Sequence, residues 1–133
     1  MIKKDLPSGA VLEIFLLPFS DAWNVSQNIS SVLEKLNIDL KELAKEVNTP
    51  ADFLALKGPI LALLSNKEVF EEANKCFKLC VYNKLKIDKD TFESKESRGD
   101  FIACVFFALS ENIAPFFVNL VSFLAKKLEN KIP

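Results

Sequence analysis

The sequence predicts an α+β fold dominated by helix, with a β-hairpin at the N-terminus and a second short hairpin near residues 81–87. Three observations predict it. Apolar residues recur at steps of three and four through most of the chain, the spacing of helix faces. Near the start, two short runs of alternating character flank Leu6-Pro7-Ser8-Gly9. Residues 101–109 are apolar on nearly every side, the mark of an enclosed helix. At 133 residues the chain has the length of one compact domain.

The elements follow in order. Ile2, Lys4 and Leu6 alternate with Lys3 and Asp5. Pro7 suits the second position of a turn and Gly9 the fourth. In residues 11–17, Leu12, Ile14 and Leu16 share one face and Val11, Glu13, Phe15 and Leu17 the other. Pro18 stops the run, which completes a hairpin over residues 1–18. That second face is too apolar for solvent alone, so another element should cover part of it. A helical body over residues 19–81 comes next. Ala22, Val25, Ile29, Val32, Leu33 and Leu36 form one helix face, with Ser20 or Asp21 as its cap. Asp39 with Glu42 opens a short helix to about Val47. Thr49-Pro50-Ala51-Asp52 opens another, carrying Phe53, Leu56, Ile60 and Leu64 and broken or kinked at Gly58-Pro59. Residues 65–68 open the next, whose face is Val69, Ala73, Cys76, Phe77 and Cys80. A short hairpin or loop fills residues 82–97, turning at Asn83-Lys84. A C-terminal helical pair is expected over residues 98–129, divided at Ser110, Glu111 and Asn112, with Pro115 in the first turn of the second helix.

A membrane-spanning helix needs about 20 consecutive, mostly apolar residues. Ser110, Glu111 and Asn112 interrupt the run here, and Glu111 would fall near mid-bilayer at high cost. The reading is therefore no membrane span. Two adjacent, broadly apolar helices leave two placements open: all core, or part core and part partner surface. About 100° per residue places Phe116, Leu120 and Phe123 on one stripe of the second helix and Phe117, Val121, Leu124 and Leu128 on its neighbour. We read the first stripe as the contact surface and the second as core. The apolar surplus also predicts self-association.

Composition narrows the chemistry. The formal net charge is −1 and histidine is absent. Without a cationic excess there is no basis for sequence-independent nucleic-acid binding. Without histidine the commonest general acid–base and metal-ligating side chain is missing. Three cysteines and three glycines provide neither a four-ligand zinc site nor a glycine-rich phosphate loop. Cys76, Cys80 and Cys104 sit in apolar patterns and read as reduced core residues, consistent with a cytoplasmic chain that begins without a signal peptide. Asp88, Asp90 and Glu93 cluster but lack the order of a calcium loop. Arg98, the lone arginine, reads as a structural fork to Asp90, Glu93 or Asp100. No catalytic set, metal site or cofactor site emerges, so the expectation is a protein that is not an enzyme.

The segments Tyr82-Asn83, Lys86-Ile87, Asp90-Thr91-Phe92-Glu93, Arg98-Gly99-Asp100-Phe101 and Asn112-Ile113-Ala114-Pro115-Phe116-Phe117, with Leu6-Pro7-Ser8-Gly9-Ala10, resemble a group of small proteins encoded among the tail genes of long-tailed bacteriophages and prophages. The group is similar to phage tail-assembly chaperones. The resemblance implies a non-enzymatic role in the host cytoplasm, coating the aggregation-prone tape-measure protein while tube subunits assemble around it. It also implies that a longer, frameshifted product can arise near Lys126-Lys127. Lys84 departs from the group's turn glycine, which suggests a longer turn here. Two other classes use the same apolar faces: a virion structural protein, such as a tail completion or connector subunit, and a helical homo-oligomeric interaction domain.

Overall fold

The computed structural model describes residues 1–117. It is a helix-dominated α+β fold with a four-stranded antiparallel sheet. Strands β1 (Ile2–Asp5) and β2 (Val11–Ile14) pair with Ile2 opposite Ile14 and Asp5 opposite Val11. The turn between them is the one read from sequence. Gly9 donates its N–H to the Leu6 carbonyl at 2.9 Å and lies at φ 95°. That left-handed conformation is free of Cβ strain only in glycine, and Pro7 supplies the fixed φ before it. Leu12 and Ile14 are fully buried, whereas Leu16, beyond the strand, is exposed.

Helix α1 (Phe19–Lys35) buries Ala22, Val25, Ile29, Val32 and Leu33. Its N-cap is Pro18, with no side-chain cap, so neither Ser20 nor Asp21 plays the expected part. The helix ends in a Schellman motif. Ile38 N–H reaches Leu33 O at 3.0 Å, and Asn37 N–H reaches Glu34 O at 3.1 Å. Asn37 takes φ 53°, a conformation asparagine tolerates.

Three short helices follow the expected start signals. In α2 (Leu40–Glu46) the Asp39 carboxylate accepts from Glu42 N–H. In α3 (Pro50–Ala55) Thr49 and Asp52 form a reciprocal capping box. The break before α4 (Lys57–Leu64) falls at Leu56, ahead of Gly58-Pro59. Pro59 sits in the first turn of α4, where a missing N–H costs no intrahelical bond, so the proline begins the new helix instead of splitting an old one. In α5 (Lys67–Phe77) Asn66 caps, and Val69, Ala73, Cys76 and Phe77 are buried. Cys80 lies beyond that helix and is also buried.

The second hairpin, β3 (Val81–Tyr82) and β4 (Leu85–Lys86), joins the first: Leu12 pairs with Tyr82 and Glu13 with Val81. This pairing closes the free edge of β2, whereas on the second face of the first hairpin Phe15 stays exposed. The turn is not lengthened at Lys84. Asn83 and Lys84 lie at φ 51° and 70°, and Tyr82 faces Leu85 across two residues. That is the primed two-residue turn, adopted with lysine where glycine is favoured.

Helix α6 (Lys95–Ile113) is the central helix. Its cap is Ser94 and it begins at Lys95, three residues ahead of the expected start, and every residue from 103 to 109 is buried. It packs on α5, α1, α2, α4 and β2. By length and composition it is apolar enough to cross a membrane, and in this fold it occupies the middle of the core. The expected division at Ser110, Glu111 and Asn112 does not occur. Ser110 back-bonds to Phe107 O, Glu111 pairs with Lys4 at 2.9 Å, and Asn112 donates to Ala108 O at 2.8 Å. Each polar side chain finds a partner without breaking the helix. The chain turns only at Ala114–Phe116, a 3₁₀ turn containing Pro115. Phe117 is extended, at φ −96° and ψ 90°. The expected helix therefore does not run through Phe116 and Phe117, and the stripe geometry starting at Phe116 does not hold there. Leu120 and Phe123 lie outside the described residues, as does the rest of the expected second helix.

Candidate protein-binding surface

On α1, Phe19 and Trp23 are four residues apart and so project from one face. Both are exposed, at 74% and 44%. The half-buried ring of Phe116 packs against both. Its centroid lies 5.7 Å from Phe19 and 5.4 Å from Trp23, edge-on in each case. Edge-to-face geometry at these distances is favourable beyond simple burial. The 3₁₀ turn at Pro115 places Phe116 there. Phe116 is half-buried, and its aromatic partners are on α1 instead of a C-terminal stripe.

Beside this cluster lies a cleft of about 410 Å³ between the end of α1, the start of α2 and the 3₁₀ turn. Leu33, Ile38, Leu40, Phe116 and Phe117 form its apolar lining. Leu33 and Ile38 are brought together by the Schellman motif. Glu34 and Asp39 give the lining its negative charge.

The remaining polar clusters are structural in geometry. Asp100, fully buried, accepts from Ser8 N–H at 3.0 Å, from the Ser8 hydroxyl, and from the Tyr82 hydroxyl at 2.7 Å. A buried carboxylate is tolerated when donors surround it. Asn112 anchors the strand-to-helix connection by accepting Leu17 N–H at 2.8 Å. These contacts give the quoted motifs a physical meaning. Leu6-Pro7-Ser8-Gly9 holds Ser8, Tyr82-Asn83 holds Tyr82, and Arg98-Gly99-Asp100-Phe101 holds Asp100, so three distant segments meet at one carboxylate. Burial and then the bond to Asp100 push the Tyr82 phenol up from 10.0 to about 12.

Arg98 does not pair with Asp100 or Asp90. It donates to Phe92 O at 2.9 Å and meets Glu93 at 3.4 Å, largely in solvent. Phe92 in turn packs on Tyr82, Phe77 and Phe101, which ties the loop before α6 to the core. Burial pushes the Cys76 and Cys80 thiols up to about 12 and raises Cys104 further. Thiols so protonated are poor nucleophiles and poor metal ligands. Among the described residues no group of three or more histidine, cysteine or acidic side chains could hold a metal ion.

Phe19 and Trp23 escaped the sequence reading. The signal was present: both are aromatic, four apart, and off the Ala22–Val25–Ile29 face.

Compared with protein-family models, known proteins and solved structures, the chain matches none.

Proposed function

We propose that this protein is a non-enzymatic phage tail-assembly chaperone that binds and shields the tape-measure protein in the host cytoplasm. The observation that carries the reading is the aromatic cluster of exposed Phe19 and Trp23 with half-buried Phe116, beside a cleft lined by both apolar and acidic side chains. Clustered exposed aromatics cost solubility and are characteristic of protein-contact surfaces. An amphipathic helix laid into an apolar groove is an established recognition mode, and a long helical client offers many such segments. The motif resemblance supplies the particular client.

The test is the protein's fate during assembly. Mass spectrometry should find it bound to tape-measure protein in lysates of producing cells and missing from purified particles. A stoichiometric presence in finished particles would assign it to the tail structure, as a connector or completion subunit.

A further inference from the structure

β1 is an outer strand of the sheet, and among the described residues no strand pairs with its far edge. Ile2, Lys4 and Leu6 turn their backbone groups toward β2, as the 2.9 Å bond from Leu6 N–H to Ala10 O marks in this register. Backbone groups alternate sides along an antiparallel strand, so Lys3 and Asp5 turn theirs outward. Val11, opposite Asp5, fits this: its carbonyl points away from β1 and accepts Asn83 N–H at 2.8 Å. Lys3 and Asp5 are both exposed. We propose that this edge pairs with the same edge of a second copy of the chain, antiparallel about a twofold axis at Lys4, joining two four-stranded sheets into one.

Charge selects both the occupant and the register. Only outward-facing residues can exchange hydrogen bonds across the new edge, so Lys3 falls opposite Lys3, Asp5 opposite Asp5, or Lys3 opposite Asp5. The first two arrangements set like charges against each other, which is destabilising, and the third sets opposite charges together at both ends of the contact. Glu13 already lies opposite Lys3. The third register therefore makes a row of Glu13, Lys3 and Asp5 of the second copy across the outer face, with alternating sign. On the inner face Ile2 meets Leu6 of the second copy, and the two Lys4 side chains meet each other. Each Lys4 is held by its own Glu111 at 2.9 Å and lies 5.5 Å from the centre of the Phe107 ring, which offsets that like-charge contact. Lysines on an edge strand ordinarily repel a second edge; Asp5 and Glu111 cancel that guard here. The opposite edge, β4, offers only Leu85 and Lys86 and no acid, so it cannot form the same pairs. β1 is four residues long, and so short an edge makes a weak, reversible dimer. The pairing uses none of Phe19, Trp23 and Phe116, leaves that face open, and does not rest on the tail-assembly reading.

The experiment is sedimentation velocity of the full chain over a wide concentration range, with circular dichroism to confirm folding. The proteins are the parent, Lys3→Asp, Asp5→Lys and the double variant Lys3→Asp/Asp5→Lys. The expected result is a concentration-dependent monomer–dimer equilibrium in the parent. Each single variant should weaken the dimer roughly tenfold or more, because it turns both attractive pairs into like-charge pairs. The double variant should restore the dimer, and so should an equal mixture of the two single variants, because opposite charges again face each other. Lys3→Asp sets an acid opposite Glu13 and costs some stability, whereas Asp5→Lys lies opposite Val11 and decides if the first variant fails to fold. A parent that stays monomeric at every concentration would overturn the proposal. A dimer left unchanged by the folded single variants would overturn it too and assign self-association to another surface. So would weakening that neither the double variant nor the mixture reverses.

Discussion

The hydroxyl of Tyr82 donates to the carboxylate of Asp100 at 2.7 Å, across eighteen residues and between the sheet and the central helix. With Ser8 it makes the Asp100 side chain the point where hairpin turn, second hairpin and α6 are fastened together. Asp100→Asn keeps the shape and removes the charge. Tyr82→Phe removes one donor. Each should destabilise by about 1–3 kcal/mol, the range for losing a buried, charge-assisted hydrogen bond. The double variant should cost less than the two singles combined, because Asp100→Asn weakens the same bond that Tyr82→Phe removes. Urea denaturation measures all three, and strict additivity would show that the two residues are not coupled.

Tyr82 is the chain's only tyrosine, so its ionisation can be followed by ultraviolet absorbance. In the folded protein it should titrate near 12 instead of 10.0, chiefly through burial and secondarily through Asp100. The folded value lies above the unfolded one. The stabilisation linked to neutral Tyr82 is therefore fully present below pH 10.0 and is lost as pH rises through about 12. In Asp100→Asn the titration should move down but stay above the ordinary value. A midpoint at the ordinary value in the parent would mean that the phenol is solvated and unbonded.

Lys84 holds φ 70° in a two-residue turn. A side chain in that conformation is strained by about 1 kcal/mol, partly offset by the unfolded-state entropy that glycine adds. Lys84→Gly should thus raise stability by roughly 0.5 kcal/mol, and Lys84→Val, β-branched, should lower it. Thermal melting distinguishes them. Destabilisation by glycine would indicate that the lysine side chain makes a contact worth more than the strain.

What the sequence disclosed divides along the range of the forces involved. The caps at Asp39, Thr49 and Asn66 are closed within three residues, and each was legible. The Pro7–Gly9 turn was legible for the same reason. The start of α1 was not, because Pro18 begins it without any capping side chain. The continuity of α6 through Ser110, Glu111 and Asn112 depends partly on Lys4 and Leu17, more than ninety positions away in the chain, and no local pattern encodes that. Asp90, Glu93 and Asp100 were all offered as partners of Arg98, and Glu93 is the one it meets; Asp100, two residues along the helix, points to a different face. Asp100 faces the core and Arg98 the solvent. Phe116 was read as part of a C-terminal stripe and instead packs on Phe19 and Trp23, whose four-residue spacing stands in the sequence but lies off the helix face that the apolar periodicity marks.

The most direct test of the central claim is co-purification of the tape-measure protein with the wild-type chain and with Phe19→Ser/Trp23→Ser, read beside thermal melting of each. Phe19 and Trp23 are exposed, so their replacement should shift melting little. The expected result is a soluble complex with the wild type and loss of the client with the variant at nearly unchanged melting temperature. Undiminished capture by the variant, or no capture by the wild type, would contradict the claim that this aromatic face holds the client.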